Sequence, residues 1–389
     1  MPVTLRRAGL VALACSTLLL SACGGGSRAS QYHPDRIVSF GDENSAISSY
    51  SGNLKNAVGA ATGSATLRGL TYTANSTVTS GPATCADDGT ATFCSSGVND
   101  PSFVLSSTEY VIPDPGYPNT VLTLEHGGAS TKRTTSTTYL CNVPTIWVQT
   151  VARAFGKGYH DACPIDAYGN AVSYAEAGAT VSQVAAQVAA HRGELGSGVL
   201  VTMMAGQNDI LAQYQLVKGG KDLASAQADL RALAGTLAGV VNDILSTGAK
   251  VVLALTPDLG ESPLAYTSGE NPTTLAALTK AFNDELYINR LGTVSGRNLA
   301  GYNTVNVTSV SSRSSSYTYR AALCDPAKAV GPDGTVPATD LERARFCNSN
   351  TYVSGGNLST FIWADSVRFA PIGHSLIGAT AAHRAADQF

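Results

Sequence analysis

The sequence predicts an α/β fold in which helices cover both faces of a parallel β-sheet. Apolar or β-branched runs of strand length stand at 36–40, 199–204 and 251–255. Segments with helical spacing alternate with these runs, the longest of them over 224–245. Strands that are apolar throughout belong to sheets covered on both sides, and their alternation with helices is typical of a parallel sheet.

The remaining elements follow from spacing and from the residues that end helices. The run over 304–307 predicts the last strand of the sheet. Gly156, Gly193 and Gly248 come just after three of the predicted helices, where helix C-termini favour glycine. Helices are predicted over 146–155, 181–191, 224–245, 275–291 and 371–386.

Residues 46–140 differ in composition from the rest of the chain. They are rich in Ser, Thr, Gly and Asn, with alternating apolar residues at 121–124 and a turn cluster at 113–116. This pattern predicts an inserted region, mainly β or irregular, after the first strand. Because a loop of this length without secondary structure is uncommon in a compact domain, we expect the region to contain strands.

The N-terminus has the pattern of an export signal. Arg6 and Arg7 precede an apolar run over 8–20, which is too short to span a bilayer as a helix of ~20 residues. Small residues and Cys23 close the run. The pattern predicts a signal peptide over 1–22, a short segment over 23–35 whose Gly-Ser stretch suits a flexible tether, and one main domain over 36–389.

The ending Leu-Ser-Ala-Cys resembles the bacterial lipobox. The resemblance implies that Cys23 becomes the lipidated first residue of an exported lipoprotein, whose membrane contact is its lipid anchor. Gly24 rather than Asp follows Cys23, which resembles lipoproteins sorted to the outer membrane. A plain secretory signal with a chance cysteine is the alternative.

The cysteine count is consistent with export. Of eight cysteines, Cys15 and Cys23 fall in the signal and the lipobox, which leaves six. An even number in an exported chain predicts disulfides, although their connectivity does not follow from sequence. Metal ligation is the alternative, but no Cys-x-x-Cys or paired His-Cys spacing supports it. Pairing of neighbours in sequence would join Cys85 to Cys94, Cys141 to Cys163 and Cys324 to Cys347.

Composition limits the ligands. A formal net charge of −3 provides no basic surface for a phosphate backbone, so nucleic acid is not expected as a partner. No phosphate-binding loop, zinc motif or calcium loop occurs in the sequence, and neither a cofactor nor a metal is expected. The oligomeric state is left open.

Three polar motifs stand near predicted strand ends or before the last helix. They are Phe-Gly-Asp-Glu-Asn-Ser over 40–45, Gly-Gln-Asn-Asp over 206–209 and Trp-Ala-Asp-Ser-Val-Arg over 363–368. Ligands of open parallel sheets bind outside the carboxyl ends of the strands, so the motifs are expected to meet at one edge.

In this order, the motifs resemble the sequence blocks of SGNH/GDSL ester hydrolases, which read Gly-Asp-Ser, Gly-x-Asn-Asp and Asp-x-x-His. The resemblance covers most of the main domain apart from the insertion. It implies a flavodoxin-like three-layer fold and an ester-hydrolase scaffold without a cofactor. Glu43 then stands at the position of the nucleophilic serine, Arg368 at that of the histidine base, and Asp365 matches the aspartate that orients the base.

The same resemblance assigns donors for an oxyanion. Ser-Tyr-Ala-Glu-Ala-Gly-Ala over 173–179 is similar to the family's Tyr-Ala-x-Gly-Gly-Ala stretch, which implies that Gly178 offers its backbone N–H. Asn208 would offer its side-chain amide. The alternative is that Gly178 only opens a helix and Asn208 only caps one, since both residue types are common at helix starts.

The residue types at the two exchanged positions do not support serine-esterase chemistry. A guanidinium group stays protonated, so Arg368 cannot act as a general base near neutral pH. Glu43 has a carboxylate where a hydroxyl nucleophile is needed. A carboxylate and a guanidinium within reach form a charge-assisted pair, and we expect Glu43, Arg368 and Asp365 to form one cluster.

Several functions remain open from the sequence. The first is a binding or structural lipoprotein that has lost hydrolysis and holds a small-molecule ester or glycan-type ligand. The second is an active hydrolase of acyl or O-acetyl esters with an unorthodox site. The third is a carboxylate-based enzyme that uses Glu43 with Asp365 or Asp42. A catalytic pair relocated to Ser45 and His374 is a further alternative.

Overall fold

The computed structural model describes 32–55, 61–75, 77–80, 83–85, 133–135, 139–142, 145–159, 170–292, 298–304, 317–331 and 334–389, with backbone alone over 51–68 and 77–142. The predicted signal peptide, Cys23 and the tether up to residue 31 lie outside the described residues. So do Cys94 and Cys163, and therefore two of the three expected disulfides. The third bond, between Cys324 and Cys347, is present.

The strands and helices of the described residues are numbered separately in chain order. The strands are β1 (Arg36–Gly41), β2 (Ser48–Lys55), β3 (Ala61–Leu70), β4 (Thr77–Ser80), β5 (Ala83–Cys85), β6 (Arg133–Thr135), β7 (Tyr139–Asn142), β8 (Ala171–Ser173), β9 (Val199–Met204), β10 (Lys250–Ala254), β11 (Leu299–Tyr302), β12 (Thr318–Ala322) and β13 (Phe361–Trp363). The helices are α1 (Trp147–Ala154), α2 (Val181–His191), α3 (Gln207–Lys218), α4 (Leu223–Ser246), α5 (Pro272–Asn283), α6 (Asp340–Ala344) and α7 (Pro371–Gln388).

The central sheet has five parallel strands in the order β11-β10-β9-β1-β8. Every residue of β9 is buried, as its apolar sequence predicts. Val38, Val201 and Leu253 belong to one core cluster with apolar residues of α2, α4 and α5. On the opposite face, α7 packs on β10 and β11, and α1 packs on α7. The predicted α/β fold with a parallel sheet and helices on both faces is therefore confirmed.

The predicted helices are present with small shifts at their ends. Asp222 caps α4 by accepting from the Ser225 N–H at 2.9 Å, and Asn271 caps α5 in the same way ahead of Pro272. The chain continues from α5 in wider π-helical turns over Asp284–Leu291. Helix α3 was not predicted. No helix among the described residues is long and apolar enough to cross a membrane.

The last strand of the central sheet differs from the prediction. The expected strand at 304–307 is wrong at its first residue, since Thr304 lies in a turn, and the other three residues lie outside the described ranges. The edge strand, which pairs with β10 on the side away from β9, is β11, and it contains Gly301. A Cβ at Gly301 would lie 2.1 Å from the Tyr287 ring, so a residue with poor strand propensity is needed here to admit that ring.

Three further sheets among the described residues are separate from the central sheet. Within the inserted region, β2, β3, β7 and β4 form a mixed four-stranded sheet, and β5 pairs with β6. The strands expected there are thus present in its described part. A second small sheet joins β12 to β13, just ahead of the third motif, and the Cys324–Cys347 bond packs beside it. Neither of these two short strands was predicted.

Candidate functional site

The first motif leaves β1 through a position that only glycine can occupy. Gly41 has φ +142°, and a Cβ there would lie 2.2 Å from the Met204 carbonyl oxygen of the neighbouring strand. The Gln187 side chain on α2 holds the same backbone from the other side. It accepts from Gly41 N–H at 3.0 Å and donates to the Gly41 carbonyl at 3.1 Å. The direction of the chain into Asp42 and Glu43 is therefore set by β9 and α2 together.

The turn that follows is fully buried. Asp42 Oδ1 accepts from the backbone N–H and the side-chain amide of Asn44, each at 3.0 Å, which closes a tight Asx-type turn. The other oxygen, Oδ2, has no hydrogen-bond partner among the described residues. Burial, and then the neighbouring charge of Glu43, raise the pKa of the Asp42 carboxyl well above its ordinary value. Asp42 is thus held in its neutral form over a wider pH range than an exposed aspartate.

The Glu43 carboxylate is the centre of the site and is completely buried. Its Oε2 accepts from the Gly178 N–H and from Asn208 Nδ2, both at 2.9 Å. Its Oε1 accepts from Gln207 Nε2 at 3.1 Å. The two groups that the family resemblance assigns to an oxyanion therefore both donate to a carboxylate of the chain itself.

Arg368 completes the cluster from the other side. Its Nε lies 3.4 Å from Glu43 Oε1, and its Nη1 donates to Asp365 Oδ2 at 2.7 Å. Asp365 Oδ1 in turn accepts from the backbone N–H groups of Val367 and Arg368. Burial opposes the charge on Arg368, but the charges of Asp365 and Glu43 outweigh it and raise the pKa of the guanidinium above its ordinary value. The expected Glu43–Arg368–Asp365 cluster is present, with a single contact to Glu43 rather than a bidentate one.

Asn208 and Gly178 lie at helix starts without acting as caps. Gly206 is the N-cap of α3, and Asn208 is a residue within its first turn whose amide also donates to the Ala179 carbonyl at 3.1 Å. Gly178 has φ +77° and lies two residues ahead of Thr180, which is the N-cap of α2. Both residues therefore direct donors at Glu43, which the capping alternative does not explain.

The structure does not support a relocated pair of Ser45 and His374. Ser45 Oγ accepts from the Trp147 indole N–H at 3.1 Å, whereas His374 Nδ1 faces the Trp147 backbone N–H at 3.4 Å. No hydrogen bond joins these two side chains in the described part of the chain, and both are buried. Burial lowers the pKa of His374 to about 3, so its ring is neutral and packed.

Sequence reasoning missed three residues that shape the site. Gln207 donates directly to Glu43 and occupies the variable position of the second motif. Its position next to Asn208 in the sequence could have indicated that it belongs to the site. Asp209 Oδ2 accepts from the Val181 N–H at 2.9 Å and ties the start of α2 to α3. Gln187 lies mid-helix and carries no sequence signal. Among the described residues, no group of three or more His, Cys, Asp or Glu side chains is arranged to hold a metal ion.

Comparisons with known proteins found similarity to solved structures but none to protein-family models or curated proteins. Among solved structures, the chain is similar to a member of the lipolytic protein G-D-S-L family from Veillonella parvula DSM 2008. The identity is 14%, the match covers 62% of this chain and 88% of that one, and the TM-score is 0.33.

The chain is also similar to an extracellular lipase from Streptomyces rimosus. Here the identity is 17%, the match covers 46% of this chain and 78% of that one, and the TM-score is 0.30.

Proposed function

We propose that this protein is a ligand-binding lipoprotein, built on an SGNH/GDSL-like ester-hydrolase scaffold, in which serine-esterase chemistry has been lost. The observation that carries the proposal is the environment of Glu43. Its carboxylate accepts from Gly178 N–H and Asn208 Nδ2, the donors that an ester hydrolase needs for the developing oxyanion. A substrate carbonyl has no access to these donors while the carboxylate is bound to them.

The proton chemistry at the site supports the same conclusion. Attack by a hydroxyl needs a base that takes up its proton and later returns it to the leaving group. Arg368 stays protonated beside Asp365 and Glu43 and cannot perform this step. Glu43 is itself engaged in hydrogen bonds through both oxygens. Arg368, Asp365 and Glu43 thus form a structural ion-pair cluster rather than a proton relay.

Export and lipid anchoring at Cys23 are part of the proposal and rest on the N-terminal sequence. The ligand class we propose is a small-molecule ester or a glycan, which the protein would bind outside the cytoplasm. An anchored scaffold without turnover would hold such a ligand at the membrane surface.

The test is hydrolysis of p-nitrophenyl acetate and butyrate by the purified protein. We expect the parent protein to hydrolyse neither ester faster than buffer does, and a fluorophosphonate probe to leave it unlabelled. The double variant Glu43→Ser with Arg368→His should gain hydrolysis, because Asp365 can orient the new imidazole. The matched control Glu43→Ser with Arg368→Ala has no base and should stay inactive.

Three outcomes would count against the proposal. If the parent protein hydrolyses the esters and Ser45→Ala abolishes this activity, Ser45 would be supported as a relocated nucleophile. If only Glu43→Gln abolishes it, carboxylate chemistry would be favoured. An inactive but folded Glu43→Ser, Arg368→His protein would contradict the view that the rest of the catalytic scaffold is intact.

A further inference from the structure

Beside the Glu43 cluster lies a separate cleft that the three motifs do not account for. Its volume is ≈ 390 Å³, within the range of small-molecule sites of ≈ 300–1,000 Å³. Its lining does not include Glu43, Gly178 or Asn208, and it shares only Asp365 with the Glu43–Arg368–Asp365 cluster. Its remaining walls come from the turn at 263–267, from β12 and the residues after it, and from α6.

The walls of the cleft are fixed to the loop that carries Asp365 and Arg368. The Leu264 N–H donates to the Ser366 carbonyl at 2.9 Å, and the Cys324 N–H donates to the Ala364 carbonyl at 2.8 Å. The Cys324–Cys347 bond joins the segment after β12 to the segment after α6. A cleft held by these bonds keeps its shape before a ligand arrives, which reduces the entropy lost on binding.

The charges around the cleft are paired. Arg320 lies 3.7 Å from Glu261, Lys328 lies 3.7 Å from Asp325, and Arg343 lies 3.2 Å from Asp340. Asp365 is paired with Arg368, which also contacts Glu43. Each charged side chain of the lining therefore lies within 4 Å of an opposite charge, and no isolated charge is left there to select an anion or a cation. The paired groups still present N–H donors and carboxylate acceptors to a ligand.

The rest of the lining is apolar or hydroxylic. Tyr266 is 41% exposed as a residue, and the Arg320 guanidinium lies 4.3 Å from the centroid of its ring. Small apolar residues extend from it, and Thr267 and Ser366 add hydroxyl groups. An acyl chain bound here would strip water from the paired polar groups without replacing those hydrogen bonds, which costs free energy. A ligand with one apolar face and many hydroxyls satisfies both parts of the lining.

We infer that this cleft binds an uncharged segment of a glycan, with the apolar face of one sugar ring against Tyr266 and its hydroxyls bonded to the paired side chains. The inference rests on the proposed function, because it names the ligand class of that scaffold. It places the ligand in this cleft and not on the donors that Glu43 occupies.

The experiment measures binding of defined sugars to the full protein by calorimetry and saturation-transfer NMR. The uncharged probes are cellotriose, xylotriose, maltotriose and tri-N-acetylchitotriose. The charged probes are trigalacturonate and chitotriose, and decanoate represents an acyl chain. We expect at least one uncharged trisaccharide to bind, and to bind more tightly than every charged probe and decanoate.

Variants of the lining and one control variant test whether the trisaccharide binds in this cleft. Tyr266→Ala should weaken the binding of that trisaccharide about ten-fold, as loss of an aromatic contact does. Leu216→Ala removes another exposed apolar side chain, outside the cleft lining, and should leave the Kd unchanged. Arg320→Ala provides a second variant, with the same expected weakening, if Tyr266→Ala fails to fold.

The inference is overturned if no uncharged trisaccharide binds, if a charged probe or decanoate binds more tightly, or if the folded Tyr266→Ala and Arg320→Ala proteins keep the parent Kd. Failure of the proposed function has a different signature. Ester hydrolysis by the parent would refute the loss of activity and leave the sugar titration unaffected.

Discussion

Replacing Glu43 with glutamine should destabilise the protein even though the two side chains have the same shape. Oε2 accepts from Gly178 and Asn208, while Oε1 accepts from Gln207 and faces Arg368 Nε. An amide has one oxygen and one NH₂ group, so in either orientation its NH₂ group meets donors. Every group around Glu43 therefore selects a carboxylate.

The cost can be worked out from these contacts. If the amide NH₂ group of the Glu43→Gln variant points toward Gln207, the amide oxygen still accepts from Gly178 and Asn208. The hydrogen bond from Gln207 is then lost. Gln207 has no simple way to reverse its amide, because its Oε1 already accepts from Asn44 Nδ2 at 3.3 Å. One lost bond to a charged group costs about 1.5–3 kcal/mol. With the lost contact to buried Arg368 added, we expect about 3–5 kcal/mol in the free energy of unfolding.

Urea denaturation at pH 7, followed by the fluorescence of the buried Trp147 and Trp363, measures this difference. Glu176→Gln is the matched control, because that glutamate is exposed on the loop that leads to Gly178, and it should change stability by less than about 0.5 kcal/mol. A loss below about 1 kcal/mol for Glu43→Gln would refute the reasoning. It would mean that the hydrogen bonds and the ion pair of Glu43 add little to stability.

Three further changes test the surroundings of the cluster. Asp42→Asn should stabilise the protein at pH 8 and less so near pH 4. The raised pKa of Asp42 means that stability contributed by its neutral form is lost as the pH rises above about 4. Urea midpoints at both pH values measure this, and a less stable variant at pH 8 would contradict it. The pH dependence of stability expected from His374 runs in the opposite direction. Its pKa of about 3 means that stability is complete above about pH 6.5 and falls toward pH 3, by on the order of 4 kcal/mol, and a His374→Gln protein should show a flatter acid profile in the same assay. An unchanged acid slope would exclude His374 as the cause. Gly41→Ala should lower the melting temperature sharply, because its Cβ would lie 2.2 Å from a backbone oxygen, and a calorimetric melt like that of the parent would show that β1 and β9 can separate there.

Much of the central fold was predictable because its signals are local. A strand buried on both faces is apolar along its whole length, as β9 is, and an amphipathic helix shows its period within a few turns. Strand β11 was not predicted, because Gly301 gives no strand signal. Glycine is needed at this position to leave room for the ring of Tyr287. Strands β12 and β13 are short, and they depend on pairing with each other rather than on their own pattern.

The sequence by itself determined which chemical groups stand at the site: the Glu43 carboxylate and the Arg368 guanidinium, with Asp365, Asn208 and Gly178 around them. Only the tertiary structure decided how they are bonded. Gly178 and Asn208 are 135 and 165 positions from Glu43, and both donate to the same carboxylate oxygen. No local pattern encodes such a contact, because it depends on the order of β8, β1 and β9 in the sheet and on the turn at Gly41. Those features place the donors on the protein's own carboxylate.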